Sequence, residues 1–220
     1  MVPVPGGTVT LDGQPVTVAP FHIGRTEVTW DMYDVFALRL DEPKGAPRAD
    51  AIARPSQPYG APDYGWGHAG YPAISIAQPA ALAFTKWLSA RTGRTYRLPT
   101  EAEWVRAAEL AAANASSAAR DAITWHRGNA KDTTHPVGKR KPDALGLFDL
   151  FGNAAEWVVT PDDDFVTRGG SFRDALEHTG PAARALQDDT WNERDPQLPK
   201  SSWWLSDGPF VGFRLVSPAE

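Results

Sequence analysis

The 220-residue chain contains no cysteine. That absence excludes disulfides, thiolate nucleophiles and any zinc or copper held by cysteine. No stretch approaches the roughly 20 apolar residues of a membrane-spanning helix, so no membrane span is expected. Positive charge is also in short supply. With 22 Lys and Arg against 27 Asp and Glu, the formal net charge is -5, which leaves no electrostatic footprint for phosphate backbones or anionic lipid. Nucleic acid is not an expected partner. Internal repeats and low-complexity tracts are missing as well. The histidines, His22, His68, His126, His135 and His178, show none of the paired spacings of zinc proteases. The opening Met1-Val2-Pro3-Val4-Pro5-Gly6-Gly7 lacks the basic start and apolar stretch of a secretory signal. The expectation is a protein that stays where it is made or one whose leader has been removed.

What the chain does have is aromatic and conformational punctuation. A 42% hydrophobic content over this length can bury a sizeable core. Nine Trp, 20 Pro and 19 Gly, against background usage of about 7% glycine and about 5% proline, predict loops pinned by aromatic side chains. One domain is expected.

Thr8 to Leu11 and Pro15 to Val18 flank Asp12-Gly13, a short-range hairpin signal. Thr29 then stands as the cap of a first helix ending near Leu40, with Asp31 in its first turn and Met32, Val35 and Phe36 on one face. Glu42 to Pro72 reads as an ordered, aromatic-rich excursion. Pro79 suits the first turn of a second helix, Ala80, Ala83, Phe84, Trp87 and Leu88 follow its period, and Gly93 stops it. Thr100 and Glu103 have capping-box spacing and start a third helix, which the alanine-rich run from Ala107 to Ala119 is expected to continue. Beyond it, short apolar pieces broken by Gly and Asn predict strands and loops. Helices early and irregular β structure late give an α+β class.

Several blocks carry a resemblance. Pro5-Gly6-Gly7 precedes Ile23-Gly24-Arg25-Thr26-Glu27-Val28-Thr29; Tyr96 to Trp104 follows; then Gly152-Asn153-Ala154-Ala155-Glu156-Trp157, Arg168-Gly169-Gly170-Ser171-Phe172 and Gly212-Phe213-Arg214. In this order they resemble the formylglycine-generating enzyme, or sulfatase-modifying factor, family over nearly the whole chain. The resemblance implies a C-type-lectin-like α+β fold, low in regular secondary structure and often stabilised by calcium. Asp50 to Tyr71 and the tail from Asp195 to Trp204 look like a bacterial subgroup whose members are mostly exported, which makes a periplasmic or extracellular location the expectation.

By that resemblance, a structural calcium ion would be held by the Asp149 side chain, the Gly152 and Ala154 carbonyls and the Glu156 side chain. Calcium accepts such a mixture of carboxylates and carbonyls. The competing reading makes Gly152-Asn153 a plain turn and pairs Glu156 with an arginine such as Arg168 or Arg214. A second calcium site, for which only Asn129 matches, is not expected. The family's oxygen-dependent members bind copper through two cysteines just after the Gly-Gly-Ser block. Asp174 stands about where the first would be, and neither it nor Thr179 is a soft ligand for Cu(I). Copper and formylglycine generation are therefore not expected.

Asp174, Glu177 and His178 form a candidate acid/base or hard-metal cluster at the rim of the inherited cleft; the plainer reading is a solvated loop with ion pairs to Arg173 or Arg184. Asp162-Asp163-Asp164 reads as a solvated loop between strands. Trp191, Trp203 and Trp204 read as core, with an aromatic platform for a sugar or peptide as the alternative. Three functions stay open. One is a calcium-stabilised binding or scaffold module for a protein, peptide or glycan. The second is a cysteine-free tailoring enzyme, oxidase-like, and the third is one domain of a larger exported polypeptide.

Overall fold

A computed structural model describes residues 1–43, 54–58, 60–112 and 116–219. The hairpin forms where expected, with β2 (Gly7–Leu11) antiparallel to β3 (Gln14–Val18). Asp12 and Gly13 both take positive φ, 48° and 77°, the primed turn that Asp-Gly favours because its twist matches that of the strands. A three-stranded sheet places β4 (Phe21–Ile23) between β1 (Val2–Val4) and β9 (Val216–Pro218), so the two ends of the described chain flank one strand.

The larger sheet has the order β7 (Gly180–Leu186), β6 (Phe165–Gly169), β5 (Ala155–Val159) and β8 (Val211–Gly212). Its pairs are antiparallel except β5 with β8. The β6–β7 register shifts between Arg168 and Gly169, and Gly169 adopts φ 92°. That irregularity ends β6 and turns the chain into the Gly170-Ser171 loop.

Among the described residues four α-helices accompany the sheets: α1 (Trp30–Ala37), α2 (Gln78–Thr92), α3 (Glu101–Ala111) and α4 (Ser117–Ile123). Pro79 lies in the first turn of α2, and Gly93 closes it in the left-handed conformation at φ 70°, as the sequence predicts. At α3 the capping box forms: Thr100 accepts from the Glu103 amide, and Glu103 accepts from the Thr100 amide.

Three local expectations are corrected. Thr29 takes the cap position of α1 but makes no side-chain cap bond. The buried face of α1 is Trp30, Tyr33 and Phe36, while Met32 faces solvent, because the two large aromatics beside the expected face bury more apolar area. The alanine run does not continue α3, which ends at Ala111. Ser116 starts the separate α4 by accepting from the Ala119 amide; a serine that can cap competes with one that extends a helix.

Two apolar clusters make the core. In one, Tyr33, Phe36 and Phe84 from α1 and α2 pack with Trp157, Trp204 and Phe213. In the other, Trp104, Val105 and Ala108 of α3 pack on Val9 and Val18 of the hairpin and on Val158 and Val166 of the larger sheet. Of the expected 42–72 excursion, residues 44–53 and 59 lie outside the described residues. The described part is tied down: Arg54 bonds both oxygens of Asp41, and Tyr64, Trp66 and Tyr71 pack against the first cluster.

Candidate functional site

Gly152, Asn153 and Glu156 stand where α3, β5 and the C-terminal chain converge, and the structure brings a buried charge centre together there. Glu156 on β5 accepts from Arg214 Nε at 2.9 Å and Nη2 at 2.7 Å, and from Trp104 Nε1 at 2.9 Å. Arg214 also donates to the carbonyls of Gly24 and Phe148. Both side chains are fully buried. Of the two readings of Glu156, the arginine pair is present, with Arg214; Arg168 instead pairs with Glu101.

Asp149, φ 55°, precedes the turn. Its Oδ2 accepts from the Gly138 amide at 2.7 Å, while its Oδ1 is buried with no hydrogen-bond partner. Glu27, from the Arg25-to-Thr29 block, is equally buried. Its Oε1 accepts from Asn153 Nδ2 at 3.0 Å, and its Oε2 has no partner. Burial, and after it the charge of Asp149, holds the Glu27 carboxyl well above its usual range. Burial likewise pushes Asp149 up to about 6, against the pull of the Gly138 amide and the Arg214 charge. For Arg214 the lowering effect of burial is outweighed by Glu156, and its pKa is raised. Three carboxylates thus face one guanidinium, leaving two negative charges without a cation if all ionise.

These residues bear on the calcium expectation in a definite way. Asp149 Oδ1 is an open, buried oxygen, and outside the strand ladders the Gly152 and Ala154 carbonyls accept no hydrogen bond from the described residues. Glu156 is the exception, since both its oxygens are engaged by Arg214 and Trp104. The donor set fits a hard cation at the Asp149 end. Among the described residues no three His, Asp or Glu side chains are grouped to hold a metal; the family arrangement draws two of its four ligands from the backbone. Gly152 has a packing reason of its own, because a Cβ there would meet the Trp125 carbonyl at 2.0 Å.

The second site is the loop after β6. Asp174 Oδ2 accepts from the Ser171 amide at 2.7 Å and from Ser171 Oγ at 3.0 Å. Thr179 Oγ1 donates to the Leu176 carbonyl at 2.8 Å, and Arg120 Nη2 donates to the carbonyls of Leu176 and Thr179. Glu177 and His178 lie exposed on the one-turn 3-10 helix Leu176–His178. All three candidates, Asp174, Glu177 and His178, line one pocket of about 540 Å³ with Ser171, Arg173 and Phe210. The expected local ion pairs are not the ones formed: Arg184 Nε goes to Glu101 at 2.7 Å, and among the described residues Arg173 has no carboxylate in contact. Copper does not fit this loop, since the residues at the expected thiolate positions offer only oxygen.

Trp191, Trp203 and Trp204 are buried, in line with the core reading. Trp204 also lines a second pocket, of about 260 Å³, between the 56–64 and 192–206 loops. Asp162, Asp163 and Asp164 are exposed between β5 and β6. Asn129 is engaged locally, accepting from the His126 amide and donating to the Thr124 carbonyl.

The chain matches the Sulfatase-modifying factor enzyme 1-like domain over residues 1–219. It is similar to the formylglycine-generating enzyme of Mycobacterium tuberculosis, 36% identical over 109 residues, covering 42% of this chain and 34% of that protein. It is also similar to serine/threonine-protein kinase pkn1 of Chlamydia pneumoniae, 34% identical over 97 residues, covering 41% of this chain and 14% of that protein. The chain therefore spans about a third or less of these two relatives. Among solved structures it resembles Treponema denticola variable protein 1, at 21% identity and TM-score 0.70 over 100% of this chain and 95% of the other. It resembles PvdO from Pseudomonas aeruginosa at 22% identity and TM-score 0.66, over 99% and 93%. CarF gives 22% and 0.65 over 100% and 98%. At these identities the likeness is one of fold. With its blocks in order, its α+β architecture and a match across its length, the chain belongs to the sulfatase-modifying factor family, as a member without cysteine.

Proposed function

We propose that this domain is a calcium-stabilised binding module that uses the pocket after β6 for a peptide, protein or glycan ligand and does not generate formylglycine. The observation that carries the reading is the fate of the two thiol positions. Asp174 and Thr179 both serve to shape their loop, one holding Ser171 and the other closing the 3-10 turn, and a pocket of about 540 Å³ stays open beside them. Pockets of this size suit ligands of moderate size. The test is to screen immobilised peptides and glycans, then recover the retained ligand and weigh it. An unchanged mass supports the module; a ligand chemically converted by the protein alone overturns it.

Calcium is proposed at the Asp149 side chain and the Gly152 and Ala154 carbonyls; Glu156, the fourth ligand by family position, would have to give up part of its engagement with Arg214 and Trp104 to join them. The open, buried Asp149 Oδ1 supports it, with the partnerless Glu27 Oε2 nearby in the same buried charge centre. When bound, the ion supplies only charge neutralisation and a fixed turn.

The tailoring-enzyme reading is favoured by one observation, that Asp174, Glu177 and His178 share a single pocket. It predicts turnover that disappears in Glu177→Gln and His178→Asn while ligand retention persists.

A further inference from the structure

Arg173 and Phe210 line the pocket after β6, and the Arg173 guanidinium lies over the rings of both Phe172 and Phe210. The guanidinium carbon is 5.5 Å from the centre of the Phe172 ring and 5.0 Å from that of Phe210. Neither ring is free to drift. Phe172 is buried and meets Trp66 edge-on at 5.3 Å, and Phe210 meets Trp191 edge-on at 5.0 Å. A guanidinium stacked on aromatic faces keeps its N–H edge available, and that fork matches the two oxygens of a carboxylate.

Among the described residues that edge is not used. Arg54, Arg97, Arg168, Arg184, Arg194 and Arg214 each hold a carboxylate. Among the described residues no hydrogen bond or ion pair engages the Arg173 guanidinium, whose residue contributes only its backbone amide, to Ser171 Oγ. Asp174 and Asp132 are near enough for their charges to be felt. Asp174, however, is turned to Ser171. Loss of hydration against the two rings keeps the Arg173 pKa below its ordinary value, although the residue as a whole stays open to solvent.

We propose that Arg173 is the anchor for a ligand carboxylate carried on an apolar body, with the body lying along Phe210 and the alanine methyls of Ala155 and Ala182 that line the same pocket. The proposal rests on the binding reading of this cleft and names the ligand chemistry it selects. Two sources share that chemistry, a small aromatic or aliphatic acid and the C-terminus of a peptide.

The experiment titrates the intact protein with N-acetylphenylalanine and with its uncharged amide, by calorimetry and by the Arg173 Nε–H resonance. A charged hydrogen-bonded pair predicts about tenfold or greater preference for the acid, and a shift of that resonance with the acid alone. Arg173→Gln removes the preference, and Arg173→Lys, which keeps charge but not the fork, restores part of it. Because Arg173 is exposed, both variants should melt with the native protein, which the same samples check. A hexapeptide ending in the same residue that binds more tightly than the free acid assigns the carboxylate to a chain terminus; tighter binding of the free acid assigns it to a small molecule. Equal affinity for acid and amide, or a preference that survives in Arg173→Gln, overturns the inference. If screening then still recovers an unmodified ligand from the cleft, the binding reading stands without it.

Discussion

Arg214 donates through all three of its guanidinium nitrogens, to Glu156 and to the Gly24 and Phe148 carbonyls, and so ties β5 to two distant loops. Removing it would leave Glu156 buried and uncompensated beside Asp149 and Glu27. Arg214→Ala is expected to lose about 3–5 kcal/mol in urea unfolding, the usual consequence of breaking a buried pair from one side. Exchanging both partners for apolar residues of similar volume should cost less. Asp149 is the residue on which the calcium proposal turns. Asp149→Asn should abolish any calcium response and leave the overall fold intact, judged by circular dichroism, since the amide still accepts from Gly138.

The capping box of α3 and the strap between α1 and the 60s loop carry predictions at the level of elements. Thr100→Ala deletes the bond to the Glu103 amide and should cost about 0.5–2 kcal/mol, read as a lower denaturation midpoint with unchanged slope. His68 stacks on Trp30 and contacts Asp34 through Nε2 at 2.7 Å and Asp63 through Nδ1 at 2.8 Å. Both nitrogens can donate only in the protonated ring. Burial acts to lower the His68 pKa, but the two carboxylates prevail and raise it. A group whose folded pKa is raised contributes stability that is complete below its unfolded value near 6.5 and is lost as pH climbs through the folded value. The side chain is 43% exposed, so solvent screening holds the effect to about 1 kcal/mol or less. Unfolding at pH 5.5 and at pH 9 should show that loss in the native protein, and His68→Gln should remove it.

For the whole molecule, the calcium proposal predicts linkage. A cation bound only by the folded state adds about 2.7 kcal/mol at a hundredfold excess over its dissociation constant, which for a chain of this length raises the melting midpoint by about 5–10 °C. Calorimetric scans over a calcium series, with metal analysis of the purified protein, measure it; an unmoved midpoint with no bound metal ends the proposal. The hairpin at Asp12-Gly13, the α2 stop at Gly93, the α3 capping box and the family blocks were all legible in the sequence. Each depends on residues a few positions apart, and local backbone preference decides them. The absence of copper-binding thiols was legible too, because it needs only composition. Tertiary structure alone decided the rest. The face of α1, the Glu156–Arg214 pair, Glu27 meeting Asn153 from 126 positions away and Arg173 lying against two phenyl rings all depend on which elements converge. Burial there sets the worth of a charge, and no local pattern in the chain encodes burial.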